Sequence, residues 1–411
     1  MPLRFIPFLL LFATALAVPN ADPFPQAPSI KGLQVQMADD AIALGIHHAG
    51  INVNLAALLD LSGKPTPGQK FAFDARYLAS LDRQIQPLSA HGIVVYAILL
   101  AYPSKDPARD AIAIHAGARP DHKYSVGAFN TATPEGRAYL RAVSEFLAER
   151  WSGAHPEYGR VWGWIVGNEV NSHWLWYNLG RQPLASVVSE YEHAFRIIHE
   201  AVRTASDNAR LYIPFDHHWA IAMSGISAEE ATPGRDFLDT FAATVKTRGG
   251  LDWHVAWHPY PSDLGNPRAW ADTGLTTAET TPKITFKNLE VLGHHLERPD
   301  LLWEGHPRRI ILSEQGFHTL PTTEGQSLQA AAYVYAWNKC LTLPLIDAFI
   351  YHRHVDHSQE GGLNLGLWTR QPNSISTPLA KKPIYEVMRQ AGTSSWSQAS
   401  VFAEKIISLA K

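Results

Sequence analysis

Three observations predict an α/β chain folded as a (β/α)8 TIM barrel with long loops on the C-terminal face. Eight short apolar runs suited to buried strands alternate with segments of helical periodicity, the order of elements of that barrel. No linker composition or internal repeat interrupts the alternation, so the 411 residues read as a single domain over 18–411 with insertions. Polar residues collect just after the strand runs, at the end where such barrels place their working groups.

The first residues are set apart. Arg4 precedes an apolar run over 5–16, and Ala15 and Ala17 put small residues at both cleavage-determining positions, the pattern of a secretory signal peptide over 1–17. About 12 to 14 apolar residues fall short of the roughly 20 in a spanning helix. The expectation is a secreted or periplasmic protein without membrane insertion.

Residues 18–30, rich in Pro and Ala, read as an extended lead-in. Alternation of apolar and polar residues predicts a first strand at 31–37, and a second is expected at 44–54. Between 73 and 91, Tyr77, Leu78, Leu81, Ile85 and Leu88 recur near the helical period, and Gly92 stands where a helix stops. Residues 93–100 are continuously apolar, as a parallel strand buried on both faces requires. The polar stretch that follows, up to Pro134, shows little periodicity and is expected as a long binding loop. Thr133-Pro134-Glu135-Gly136 then opens a helix to Trp151. Strand four is placed at 162–166 and helix four at 183–206, where Val187, Val188, Tyr191, Phe195 and Ile198 form an apolar stripe. The remaining strands are expected at 210–219, 251–261, 309–314 and 346–352. The helices between and after them are expected at 237–246, 286–296, 327–342 and, as the last, 382–390.

Composition narrows the function classes. The chain is 46% hydrophobic and carries 35 Lys+Arg against 38 Asp+Glu, with no run of like charges. That balance excludes a nucleic-acid footprint. The single cysteine, Cys340, excludes an intramolecular disulfide and reads as an apolar filler in a helix.

Two strand runs end on a carboxylate. Trp162-Gly163-Trp164-Ile165-Val166 leads through Gly167-Asn168 to Glu169, and Ile310-Ile311-Leu312-Ser313 leads to Glu314. Carboxylates at two strand ends suit glycoside hydrolysis. The segments Trp164-Ile165-Val166-Gly167-Asn168-Glu169, Ile311-Leu312-Ser313-Glu314-Gln315-Gly316 and His258-Pro259-Tyr260 resemble those of the clan A retaining glycoside hydrolases. The resemblance spans the barrel through its order of elements, although only these segments are specific. It implies Glu169 as acid/base, Glu314 as nucleophile, Asn168 on the sugar 2-hydroxyl, and Tyr260 as a donor orienting Glu314. Such an enzyme needs no metal and no cofactor, and its partner is an oligo- or polysaccharide. An ionised Glu314 would raise the pKa of Glu169.

Other polar groups are expected on the same face: His47, His217, His218, His258 and His352 as binders of sugar hydroxyls, with His48, Asp216 and Arg353 beside them. Loop indoles at Trp174, Trp176, Trp219, Trp270 and Trp368 are candidates for stacking on sugar rings, and residues 361–368 form a turn-rich flap. Two alternatives stay open. A catalytically silent carbohydrate-binding barrel would not need both Glu169 and Glu314. A metal-dependent hydrolase would use His352, His354 and Asp356, whose spacing by two puts them on one face if strand eight persists. The histidines with Arg353 would also suit an acidic sugar.

Overall fold

β-Branched and aromatic residues build the wall of a closed parallel barrel of eight strands. These are β1 (Lys31–Gln34), β2 (His48–Asn54), β3 (Val94–Leu100), β4 (Gly163–Val166), β5 (Arg210–Phe215), β6 (His254–Trp257), β7 (Ile310–Leu312) and β8 (Ile346–Tyr351). Each pairs with its neighbours in sequence, and β8 closes against β1. The computed structural model describes residues 19–118, 125–320 and 322–408. The signal peptide expected over 1–17 lies outside them. Among the described residues no helix is long and apolar enough to cross a membrane.

The period-two alternation of a strand sorts side chains to two sides of the wall. Val94, Tyr96, Ile98 and Leu100 point inward and meet Ile165, Tyr212, Ala256, Ile311, Ala348 and Ile350. Val95, Ala97 and Leu99 face outward into the larger core beneath the helices. Those helices are Ala75–Ala90, Pro134–Arg150, Leu184–Ala205, Gly234–Thr247, Glu290–Leu296, Thr323–Cys340 and Pro383–Gln390. Their starts are capped where the sequence supplies a short polar side chain: Asp74 accepts from the N–H groups of Arg76 and Tyr77, and Thr133 from that of Gly136.

Three expectations need correction. A helix at Ala38–Ala43 abuts the region read as strand two, whose first residues, Leu44 and Gly45 (φ +71°), close that helix instead of opening the strand; a left-handed glycine commonly closes a helix. β2 therefore begins only at His48. The polar stretch after β3 contains a helix at Pro107–Ala113, capped by Asp106. The chain also does not finish its helices at residue 390, since Trp396–Ser408 forms another, packed through Trp396 on Trp337 at 5.8 Å between ring centroids.

The lead-in crosses the amino end of the barrel. Phe24 meets the Trp162 ring edge-on at 5.8 Å and lies beneath the Arg210 guanidinium at 4.0 Å. A cavity of about 810 Å³ opens there, lined by Ser29, His48, Arg210, Arg309 and Asp347 among others. It is at the opposite end from the strand termini that carry Glu169 and Glu314.

Candidate active site

The turn after β4 presents Glu169 in an uncommon backbone conformation. Gly167 has φ +89°, and a Cβ there would come within 2.8 Å of the Tyr177 ring, so both the dihedral and the contact require glycine. Glu169 itself sits at φ 35°, a left-handed value that disfavours any side chain and is found where surrounding structure enforces it. Here Asp216, just past β5, does so. Its Oδ1 accepts from Asn171 Nδ2 at 2.6 Å and from the His218 N–H at 2.8 Å, its Oδ2 accepts from Ser172 Oγ, and its own N–H donates to Asn171 Oδ1 at 3.1 Å. The second and third residues after Glu169 are thereby fastened to β5.

Glu169 faces His258, two residues from different strand ends that are each less than a tenth exposed as whole residues. Glu169 Oε1 is 3.0 Å from His258 Nδ1, and His258 Nε2 is 3.0 Å from Ser313 Oγ, the residue before Glu314. Tyr260 donates its hydroxyl to Glu314 Oε1 at 3.2 Å. One carboxylate oxygen of Glu169, one of Glu314 and one ring nitrogen of His258 all lie within 4.8 Å of one another. The three strand ends thus converge on a single point.

The electrostatics set Glu169 and Asp216 apart. Burial pushes the Glu169 carboxyl up to about 7, opposed by the His258 hydrogen bond and assisted by the charges of Asp216 and Glu314. The repulsion from Glu314 expected from sequence is present, but desolvation leads. For His258, burial disfavours the cation, yet the hydrogen bond to Glu169 and the charge of Glu314 leave its pKa raised. Burial would lift Asp216 as well, but hydrogen bonds from His218 and Ser172 and the nearby imidazoles hold it far below the usual carboxylate range.

The structure brings some predicted residues together and disperses others. Glu169, Glu314, His258 and Tyr260 form the cluster, with Asn168 half-buried beside it. His217 and His218 follow β5; burial pushes His217 down to about 3, and His218 Nδ1 is 3.1 Å from Asp216 Oδ2. His352 follows β8 and faces Gln34 and Glu360. His47 is misplaced in the sequence reading: because β2 starts at His48, His47 lies at the amino end of the barrel, bonded to Ser29 Oγ at 2.7 Å. His48 shares that end, 3.1 Å from the Tyr96 hydroxyl.

The indoles take different places. Trp219 is fully buried, its Nε1 donating to the Glu279 carbonyl at 3.0 Å, and Trp270 packs edge-on against Tyr335. Trp174 is buried beside the Arg181 guanidinium at 5.1 Å. Trp368 donates to Asp40 Oδ2 at 3.0 Å and packs on Tyr385, so it braces the short helix after β1. Trp176 is the rim indole that rests, half-buried, on the barrel interior. Sequence reasoning missed Tyr102 and Glu360. Tyr102 is 36% exposed, yet desolvation of its hydroxyl and the charge of Glu314 push the phenol up to about 12, with Arg353 and Glu360 also acting on it. Its place directly after β3 was the available signal, whereas Glu360 had none.

The proposed metal set does not converge. His352 goes to Gln34 and Glu360, His354 to Asp40 at 2.9 Å, and Asp356 to Lys382 Nζ at 2.8 Å. Among the described residues, Glu169, His258 and Glu314 are the group with metal-ligand chemistry and proximity. Both nitrogens of His258 there face hydrogen-bond partners, Glu169 Oε1 and Ser313 Oγ.

Known structures share this fold. A family 39 glycoside hydrolase from Bacteroides cellulosilyticus WH2 superposes with a TM-score of 0.58 at 16% identity, over 92% of this chain and 66% of that one. The chain thus spans about two thirds of that protein's length. A hyperthermophilic β-glucosidase from Pyrococcus furiosus gives 0.55 at 13% identity, over 90% and 86% of the two chains. A Thermotoga maritima family 1 glycoside hydrolase, in complex with a cyclophellitol-analogue transition state mimic, gives 0.55 at 13%, over 86% and 84%. The (β/α)8 barrel expected from the sequence is the fold observed, and at these identities the likeness concerns the fold. Comparison with curated protein sequences returns no significant match. Residues 23–411 match the family of unknown function DUF5722, and the chain belongs to that family.

Proposed function

We propose that this protein is a secreted retaining glycoside hydrolase that cleaves a β-linked glycoside or polysaccharide by double displacement. The observation that carries the reading is the approach of Glu169 and Glu314, with oxygens within 4.8 Å. Retaining enzymes hold their carboxyl groups about 5 to 5.5 Å apart, whereas inverting ones leave roughly 6.5 to 9.5 Å for a water. The shared barrel of family 1 and family 39 glycoside hydrolases supports the hydrolysis of a glycoside.

In this reading the glycosidic bond lies between the two carboxyls. Glu169, kept protonated by burial, gives its proton to the leaving oxygen while ionised Glu314, oriented by the Tyr260 hydroxyl, attacks the anomeric carbon. Glu169, now ionised and near His258, takes a proton from water, which displaces Glu314 and restores the anomeric configuration. Asn168 is assigned to the sugar 2-hydroxyl.

A screen of aryl glycosides and polysaccharides with wild type and two variants tests the assignment. Glu314→Ala is expected to be nearly inactive on every substrate. Glu169→Ala should retain more activity on aryl glycosides with good leaving groups, which need less protonation. Equal rates for wild type and Glu314→Ala would sink the mechanism, and a first product of inverted configuration would sink retention.

A further inference from the structure

We propose that Glu360, joined to His352 and Arg353 at the carboxyl end of β8, makes the sugar subsite beside Glu314 selective for a neutral glycoside and excludes uronic acids. This rests on the glycosidase reading above.

The backbone sets the position of the group. The His352 N–H donates to the Gln315 carbonyl at 2.8 Å, next to Glu314 in the chain. Gly316 makes room for the approach, since a Cβ there would lie 2.1 Å from the His352 carbonyl oxygen. The loop after β8 then returns Glu360 onto both basic side chains: Oε1 is 3.2 Å from His352 Nε2, and Oε2 is 2.5 Å from Arg353 Nη1. The other ring nitrogen of His352 is spent on Gln34 at the end of β1. The cluster of His and Arg353 that suggested an acidic sugar is thus already occupied by an internal carboxylate.

The charge of that carboxylate reaches the mouth. Burial alone would raise its pKa, but His352 and Arg353 hold it down to about 2. Together with Glu314, Glu360 acts on the phenols of Tyr260 and Tyr102. A sugar carboxylate entering here would find Arg353 engaged and two carboxylates, Glu314 and Glu360, facing it. A hydroxymethyl group meets no such repulsion, so specificity arises from disfavouring the competitor. One unit-charge repulsion at roughly 6 Å and an effective dielectric of about 20 corresponds to a discrimination of about 100-fold.

The test uses matched pairs of 4-nitrophenyl β-glycosides that differ only at C6, the glucoside with the glucuronide and the galactoside with the galacturonide. Wild type should turn over the neutral member with kcat/KM about 100-fold higher. Glu360→Gln frees the Arg353 charge and should lower that ratio at least tenfold, chiefly through the KM of the uronide. Arg353→Gln, which leaves Glu360 uncompensated, should move it the opposite way and serves if Glu360→Gln does not fold. Calorimetric titration of folded wild type with the methyl glycosides of the same pairs provides a readout without turnover. Wild-type preference for a uronide, or ratios unchanged in both variants, overturns the inference while leaving the hydrolase reading intact. Binding of the neutral member alone with no turnover overturns the hydrolase reading and supports the selectivity. Neither binding nor turnover of any pair overturns both.

Discussion

Replacing His258 by Phe should shift the pH dependence of the reaction upward. Glu169 must be protonated to act as an acid, so the alkaline limb of kcat/KM reports its titration, shared with His258 because the two are coupled. In the wild type that limb is expected near pH 7, where burial places the Glu169 carboxyl. His258 opposes the burial through a 3.0 Å contact between side chains only 2% and 10% exposed, so solvent screens it little. A hydrogen bond to a charged group contributes about 1.5–3 kcal/mol, and one pH unit corresponds to about 1.4 kcal/mol. Losing it should therefore raise the alkaline limb by about one to two pH units. Phe keeps an aromatic ring in the site, and the principal structural loss is the partner of Ser313 Oγ, costing about 1 kcal/mol. The assay is the kcat/KM–pH profile on a 4-nitrophenyl glycoside, repeated with a 2,4-dinitrophenyl leaving group, whose alkaline limb should be much shallower because it needs little proton donation. A limb that stays in place or moves to lower pH in His258→Phe would refute the assignment of Glu169 as the buried acid restrained by His258.

Two further outcomes concern stability. The folded-state pKa of Glu169 is raised, so its protonated form stabilises the fold at low pH, and that contribution is lost as pH rises through about 7. Glu169→Gln should accordingly gain thermal stability over wild type between pH 5 and pH 8, by at most about 3 kcal/mol; a Tm difference independent of pH would contradict this. Gly167→Ala should lose about 1–3 kcal/mol in urea unfolding, from the left-handed backbone and the overlap with Tyr177, and an unchanged midpoint would show that the turn relaxes freely.

The barrel was legible because its evidence is local. The continuous run at 93–100 reads as a buried strand without knowledge of its partners, and so do the short runs that end near Glu169 and Glu314. Strand ends were less legible, with 251–261 expected and His254–Trp257 found, because a ladder stops where its neighbours stop, which is a property of other strands. The error at His47 has one cause. Gly45 ends a helix rather than sitting inside a strand, and moving the start of β2 to His48 transfers the histidine pair to the other end of the barrel. Glu360 was unreadable for a different reason: its role depends on a loop folding back onto His352 and Arg353, and no spacing announces that. Trp219 misled because an indole after a strand looks the same in sequence whether it faces a sugar or the core.

Asp216 links the geometry of the acid to its protonation. Holding Glu169 at φ 35° disfavours the fold by on the order of 1–3 kcal/mol, and the turn cannot keep that shape unaided. The bonds from Asn171, Ser172 and His218 to one ionised carboxylate supply an offset of comparable size, since charge-assisted hydrogen bonds contribute about 1.5–3 kcal/mol each. The same ionised carboxylate raises the Glu169 pKa through space. A neutral anchor at position 216 could tie down the turn but would not oppose ionisation of the acid. An aspartate after β5 does both, and that is a physical reason for a buried charge at a place where an uncharged group would be easier to bury.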